Sequence, residues 1–587
     1  MFFPFAVRKF WFKEVIGIFL SFCFFSHPLL ADINDELFLA IEAGKLDEVS
    51  SLLDQGADPN SNRSGIIPPL HLAVEKGDGP IVEILLEHGA NVNQENYAGF
   101  TPLVLACSVG DADIARFLLK HGANLNRPVQ SGYTVLQLAA RMGHREVVQV
   151  LLNEGAAVDQ VSEKGSTAFL LAAQQGHHKI VGDLLNHGAE LNQINQDGLS
   201  ALILATCRGH EQVMEVLLDR GDQMRIAPQL IKSSFFFAAK KGLKKEVELL
   251  LAHGAPVNEV DSQGYSALLR AAEKGHREVA EVLLAHGASL EARQKSGCNG
   301  LILAAKEGYP DVLQLLLDRG ADINSKTYVG STAVLTAACF GHLAAVKILV
   351  QNGANLCQLN QAGGTPLIAA TSNGHVEVIE FLLKNGAPVD QMSVHGNTAL
   401  GFAANRGFAT VARVLIEAGA SVDQMNKAGD TPLILAAWNN HPHVVRLLLF
   451  HGAQVDYALR EGNTAMMMAA ANGYSRVVQI LLEKNADIER VNRSGDTALL
   501  LAANRGHTNV VRLLLDHGAN PNRVNKQGIG AVFAAAQFGH TETVALLKER
   551  GARMNRPQGI QSQRGRQGGS RRGQHSMLEA LMYSPGF

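Results

Sequence analysis

The sequence predicts an all-α solenoid of helix-turn-helix units with projecting β-hairpin loops, about 16 repeats long. Three observations predict it. The chain has 587 residues, too many for one hydrophobic core and therefore either several domains or an array. It is 47% hydrophobic but only 6% aromatic, with 57 Gly and 2 Trp, the make-up of glycine-punctuated aliphatic packing. It also aligns on itself with a period of 33 residues: YAGFTPLVLACSVGDADIARFLLKHGANLNRPV starts at Tyr97 and QSGYTVLQLAARMGHREVVQVLLNEGAAVDQVS follows at Gln130. A fixed period of this length marks stacked units, each one supersecondary element.

The register is read from glycine. It recurs at Gly99, Gly132, Gly165 and Gly198, then at Gly264 and every 33 residues to Gly528, and fails only at Ile231. With a degenerate first unit from Asp32 and a unit at Gly65 carrying one extra residue before Pro69, 16 units fill residues 32–557. Within a unit, Thr134 to Met142 forms a first short helix and Gly143-His144 punctuates it. A second helix runs through Glu146 to Glu154, where Val147, Val148, Val150, Leu151 and Leu152 give helical apolar spacing. Gly155 stops that helix, because a left-handed residue costs glycine least. The polar segments around Gly165 and Gly198 suit a turn between short extended arms. Helices this short cannot bury their apolar faces alone, so neighbouring units must stack.

These motifs resemble the ankyrin repeat. The closest copies are DTPLILAAWNNH from Asp430 and GDTALLLAANRGHTNVVRLLLDHGANPN from Gly495. The resemblance implies a curved stack of helix pairs with hairpins on one side, partner proteins held on the concave surface, and no catalysis. Two departures stand out. The Thr-Pro-Leu start is complete only at Thr101, Thr365 and Thr431, and elsewhere mostly becomes Thr-Ala or Ser-Ala, so looser helix starts are expected. The stretch from Gly221 to Phe237 loses the hairpin glycine at Ile231 and gains Pro228; a hinge is one reading and a decayed hairpin within a rigid stack the favoured one.

No catalytic constellation emerges. Of 22 His, nine follow the mid-repeat glycine or its equivalent (His144, His177, His210, His276, His342, His375, His441, His507, His540) and seven precede the Gly-Ala. The resemblance makes the recurring His a structural hydrogen-bonder, and residues a repeat apart cannot share a metal at about 2 Å. HEQVM at His210 to Met214 lacks the second His of a zincin helix. Gly44-Lys45 lacks the rest of a phosphate-binding loop, and no Gly-x-Ser-x-Gly elbow occurs. Six Cys without a CxxC pair exclude a zinc ribbon and a disulfide-dense scaffold. The expectation is a protein that is not an enzyme, with no cofactor and no metal.

Function in a solenoid falls to residues that packing does not dictate. Positions flanking the hairpin glycine and the pair before the mid-repeat glycine vary between units. In ankyrin proteins they line the concave partner-binding surface. They give Tyr97, Phe100, Val109, Tyr133 and Met142 in two adjacent units, a smaller pair of Tyr328 and Phe340, and Trp438 alone. Clustered exposed aromatics resemble an interface hot spot; packing against neighbouring hairpins is the alternative. Toward the C-terminus the same positions turn basic: Arg406, Lys427, Arg460, Arg493, Arg505 and Lys526. Either an acidic partner or a solvated charged face accounts for them.

The ends differ from the array. Arg8, Lys9 and Lys13 precede an 11-residue apolar run from Val15 to Phe25, then Pro28 and Ala31. That run is shorter than the roughly 18 to 20 residues that span a bilayer, and the pattern reads as a signal peptide cleaved after Ala31. Periplasmic or secreted localisation follows, with a membrane anchor through residues 15–31 as the alternative. Residues 558–587 carry Arg564, Arg566, Arg571 and Arg572 among Gly, Gln and Ser, a composition expected to be disordered, and end on a short amphipathic SMLEALMYSPGF. A net charge of -3 argues against nucleic acid as partner. The sequence thus predicts a monomeric, non-catalytic protein-interaction scaffold; a secreted effector acting on host proteins and a membrane-tethered adaptor are the alternatives.

Overall fold

Most repeats begin with a hydroxyl that caps a helix; Asn299 caps with its amide oxygen, and Pro68, Ala227 and Gly530 give no side-chain cap. The computed structural model describes residues 32–62, 67–129 and 132–554; residues 1–31, expected as a signal peptide, and the tail 558–587, expected to be disordered, lie outside them. Thr101, Thr134, Thr167, Ser200, Thr332, Thr365, Thr398, Thr431, Thr464 and Thr497 stand in extended backbone at the start of the first helix of their repeats. Each accepts a hydrogen bond from the amide three residues on, as Thr365 Oγ1 does from Ile368 N at 3.1 Å. That bond satisfies one of the amides a helix start leaves orphaned. The expected looser starts are not found. Thr-Ala openings are capped like Thr-Pro ones because the hydroxyl makes the cap, whereas proline only presets φ at a position whose N–H is unpaired anyway. At Thr134 the cap is doubled, since the Gln137 amide oxygen accepts from Thr134 N at 2.9 Å.

The first helix ends on a left-handed glycine, Gly110 at φ 94° and Gly143 at φ 86°. The second helix ends by a different device. After the helix Ala112–Lys120, Gly122 N bonds Leu119 O and Ala123 N bonds Leu118 O, both at 3.0 Å, the paired closure of a Schellman motif. Ala123 is buried by it. Gly155-Ala156 repeats the arrangement onto Leu152 and Leu151, which explains why Gly-Ala recurs every 33 residues.

Among the described residues 32 helices and no sheet occur, two helices to a repeat. Alanines such as Ala139 and Ala140 on first helices, and Val147, Val148 and Leu151 on second helices, are wholly buried. Small side chains at these contacts let helix backbones approach and interior packing approach crystal density. Two compact units are distinguished, one of residues 32–271 with Glu278–Ser289 and one of Ala272–Arg277 with residues from Leu290 on. Each is a stack of helix pairs in series, with first helices against first helices and second against second.

Eight of the nine recurring histidines join one repeat to the next. They donate from Nε2 to a carbonyl 36 residues earlier: His144 to Ser108 O at 3.1 Å, His342 to Lys306 O at 2.9 Å and His507 to Ala471 O at 3.0 Å are typical. Those carbonyls belong to the last turn of the preceding first helix, where no intrahelical donor exists. Since a carbonyl only accepts, the bond fixes the Nε2–H tautomer. The ring lies against the preceding glycine so closely that a Cβ on Gly110 would come within 2.5 Å of His144. Burial favours the neutral imidazole of His177 and His507 and lowers their pKa.

Residues 221–237 do not form the decayed hairpin expected of them. The hairpin is replaced by helix: Glu211–Met224 and Pro228–Lys241 each run 14 residues, joined through Arg225 in a left-handed conformation at φ 57°. With Ile231 in place of the turn glycine nothing stops the helix, and Pro228 sits at its first turn, where proline is tolerated. Asn192 still bridges the repeats, accepting from Ala227 N at 2.8 Å, and Lys232 pairs with Glu259 at 2.6 Å.

Removing one cap tests the role of the opening hydroxyl. Thr464→Ala should cost about 1 kcal/mol, read as roughly fivefold faster amide exchange in the helix Ala465–Ala471 with distant repeats unchanged; unchanged exchange there would contradict it.

Candidate protein-binding edge

The hairpins are built on an Asx turn. Three residues before the hairpin glycine, Asn96 accepts from Ala98 N and Phe100 N at 3.0 Å, and Gly99 N returns to Asn96 O at 2.8 Å. Asn195, Asp261, Asn426, Asn492 and Asn525 do the same. The two residues between the Asx and the glycine form the tip; the first rests on the preceding hairpin glycine, as Tyr328 does on Gly297 and Lys427 on Gly396, with its outer end in solvent.

Tip is bonded to tip. Gln361 N donates to Val329 O, Lys427 N to His395 O, Arg493 N to Glu461 O and Lys526 N to Ser494 O, all at 2.9 to 3.0 Å. Behind the tips Asn426, Asn492 and Asn525 amides donate to Asn397, Asn463 and Asp496. At the hairpin base Asn60, Asn93, Asn126, Asp423 and Asp456 accept amides 31 residues on. Equivalent side chains of successive repeats therefore form columns in register.

In the first unit Tyr97 is 67% exposed at its tip, and Val109 and Met142 are exposed where first helices end. Phe100 and Tyr133 are half-buried: Phe100 O is held by His71 Nε2 at 2.8 Å, and the Tyr133 ring lies 5.9 Å from the Arg141 guanidinium. His71 is fully buried and its pKa is lowered by desolvation, as suits a neutral donor in the core. The five residues thus divide into three exposed side chains and two that support the hairpin.

In the second unit Tyr328 is 66% exposed and Phe340 is exposed beside its own His342 ring. The Tyr328 ring covers Gly297 of the preceding hairpin. Trp438 is half-buried. Arg406, Lys427, Arg460, Arg493, Arg505 and Lys526 are all exposed; Arg493 lies 3.6 Å from Glu461 and Arg505 donates to Asn472 at 3.4 Å.

Three exposed features escaped the sequence reading. Phe538 occupies the same column as Phe340 and Arg505, and the 33-residue register points to it directly. Phe450 ends a second helix and is 75% exposed; no recurring position marks it. The third is a column four residues before the hairpin glycine, with Val161, Ile194 and Val260 in the first unit and Leu359, Met392, Met425, Val491 and Val524 in the second, all exposed. Its signal was present, an apolar residue recurring at one polar-looking hairpin position.

Among the described residues no three His, Cys, Asp or Glu side chains gather in a metal-binding group, and no helix is long and apolar enough to cross a membrane. Cys107 is buried, which pushes its thiol pKa up, and none of the five described cysteines is disulfide-bonded.

The chain matches a family model for ankyrin repeats (3 copies) over residues 37–129, 70–162, 136–227, 232–294, 301–393, 387–458 and 466–558, and one for ankyrin repeats (many copies) over 441–482. The break between 227 and 232 falls where helix replaces the hairpin. No curated protein matches the chain. With most of its length matched and the capped helix pairs, Gly-Ala closures and Asx hairpins repeated throughout, the chain belongs to the ankyrin repeat family.

Proposed function

We propose that this protein is a non-catalytic scaffold that holds partner proteins along its hairpin tips and first helices, in the groove those elements line in an ankyrin stack. Ankyrin repeats generally mediate protein–protein interaction. The observation that carries the reading here is the exposure of Tyr97, Val109 and Met142, and of Tyr328 and Phe340, at positions the packing of the stack leaves unused. Exposed aromatics and methionine on a rigid frame bring large contact area with little ordering entropy to lose. The histidines, by contrast, are engaged in joining repeats.

The test is capture of a partner from the fraction in which the protein resides. Replacing Tyr97, Val109 and Met142 with Ser should weaken capture at least tenfold while the circular dichroism and thermal midpoint stay unchanged; undiminished capture would remove these residues from the binding surface.

The partner pool depends on compartment, and we propose export through the N-terminal segment, supported by its basic start, short apolar run and Ala31. Mass spectrometry of the mature protein should find a chain beginning at Asp32 in the periplasmic or secreted fraction. An intact Met1 in the membrane fraction would replace export with a tethered adaptor.

A further inference from the structure

We propose that the hairpin edge between Leu359 and Lys526 docks an extended partner segment in which acidic and aliphatic side chains alternate at short, regular spacing. This rests on the scaffold reading and specifies the partner for one part of the surface.

Two columns carry the inference. Leu359, Met392, Met425, Val491 and Val524 lie four residues before their hairpin glycines and are each 38 to 44% exposed, with the smaller Ala458 in the remaining repeat. Single exposed apolar residues need no explanation, but a column sustained over six consecutive hairpins is a continuous strip. Two residues further on, at the tips, stand Lys427, Arg460, Arg493 and Lys526. A single Asx-turn residue separates each apolar position from its tip cation, and Met425, Val491 and Val524 are exposed like Lys427, Arg493 and Lys526, so the apolar strip runs beside a row of cations. The tip-to-tip amide bonds of Lys427, Arg493 and Lys526 hold both columns in register.

Most nearby carboxylates are already committed. Asp423 and Asp456 accept the amides of Gln454 and Asp487, and Asp430 and Asp496 accept from Asn426 and Asn525. Glu461 alone sits against a tip cation, Arg493, at 3.6 Å. Those aspartates keep their charge but do not pair with the tips; among the described residues Arg493 is the tip cation with an ion pair, so Lys427, Arg460 and Lys526 offer their donors to a ligand, next to side chains that gain by leaving water. A nucleic-acid strand would satisfy the cations but waste the aliphatic strip; an acidic and aliphatic peptide satisfies both.

The spacing sets the motif. Stacked helices stand about 10 Å apart, and an extended chain of the polyproline II type rises about 3.1 Å per residue with about three residues per turn, so one hairpin faces one turn of peptide and every third side chain returns to the same side. Four basic tips then call for acidic residues roughly every third position over about a dozen residues.

The experiment is selection of a random 16-residue displayed-peptide library on the full chain, followed by affinity measurement of enriched peptides by fluorescence anisotropy. The expected peptides combine Asp or Glu at three-residue spacing with Leu, Ile, Val or Met. K427E/R460E/R493E should weaken them at least tenfold and abolish their salt dependence, and M392S/M425S/V491S/V524S should weaken them at least tenfold with circular dichroism unchanged for both variants. Peptides that ignore both variants, or that a single-stranded oligothymidylate displaces at equal concentration, would overturn this site while leaving the scaffold reading in place. Enrichment of no peptide at all would overturn this site, and the scaffold reading would still be decided by partner capture.

Discussion

The structure depends on hydrogen bonds that cross from one repeat to the next. Hydrophobic burial drives the stacking, but it is non-directional and would tolerate sliding. Three polar links remove that freedom: the mid-repeat histidine to the preceding helix carbonyl, the hairpin-base Asn or Asp to the amide 31 residues on, and the tip amide to the preceding tip carbonyl. Each pairs a backbone group that would otherwise be orphaned, which in a buried setting is costly. Each also exists only when the neighbour is present, so cooperativity between repeats is built into the same bonds.

The consequence for function is a division of labour along the 33-residue period. Histidine, the residue most suggestive of catalysis, is committed to the lock; its tautomer is fixed by a carbonyl and its ring covers a glycine. Tips and helix ends are what the lock leaves over. Because the lock aligns them, a residue type repeated at one position becomes a surface property: aromatic and methionine near Tyr97 and Met142, then aliphatic and basic from Leu359 to Lys526.

Much of this was legible in the sequence. The glycine register, the Gly-Ala closure and the recurring histidine each carry a local chemical reason, and those reasons do not depend on distant contacts. The N-caps were read too narrowly, through proline, when the hydroxyl before it makes the bond. Residues 221–237 were misread because absence of a turn signal was taken as a damaged hairpin; chain without a stop continues as helix. Phe100 and Tyr133 illustrate what a period alone does not resolve, since the position after the hairpin glycine is half-buried: the Phe100 carbonyl is held by His71 and the Tyr133 ring lies beside Arg141. The apolar column from Leu359 was visible as a recurrence, but the conformation of the hairpin arm, which decides whether such residues face water, is a three-dimensional fact.

The central claim is that the hairpin tips are locked edge to edge, because the apolar and basic hairpin columns from Leu359 to Lys526 depend on it. Hydrogen-exchange mass spectrometry over peptides spanning residues 391–397, 424–430, 490–496 and 523–529 tests it directly. Exchange of the tip amides of Lys427, Arg493 and Lys526 at least tenfold slower than that of short unstructured peptides of the same sequence is the result this account predicts. Tip amides exchanging as fast as those peptides would mean free hairpins, and would contradict it.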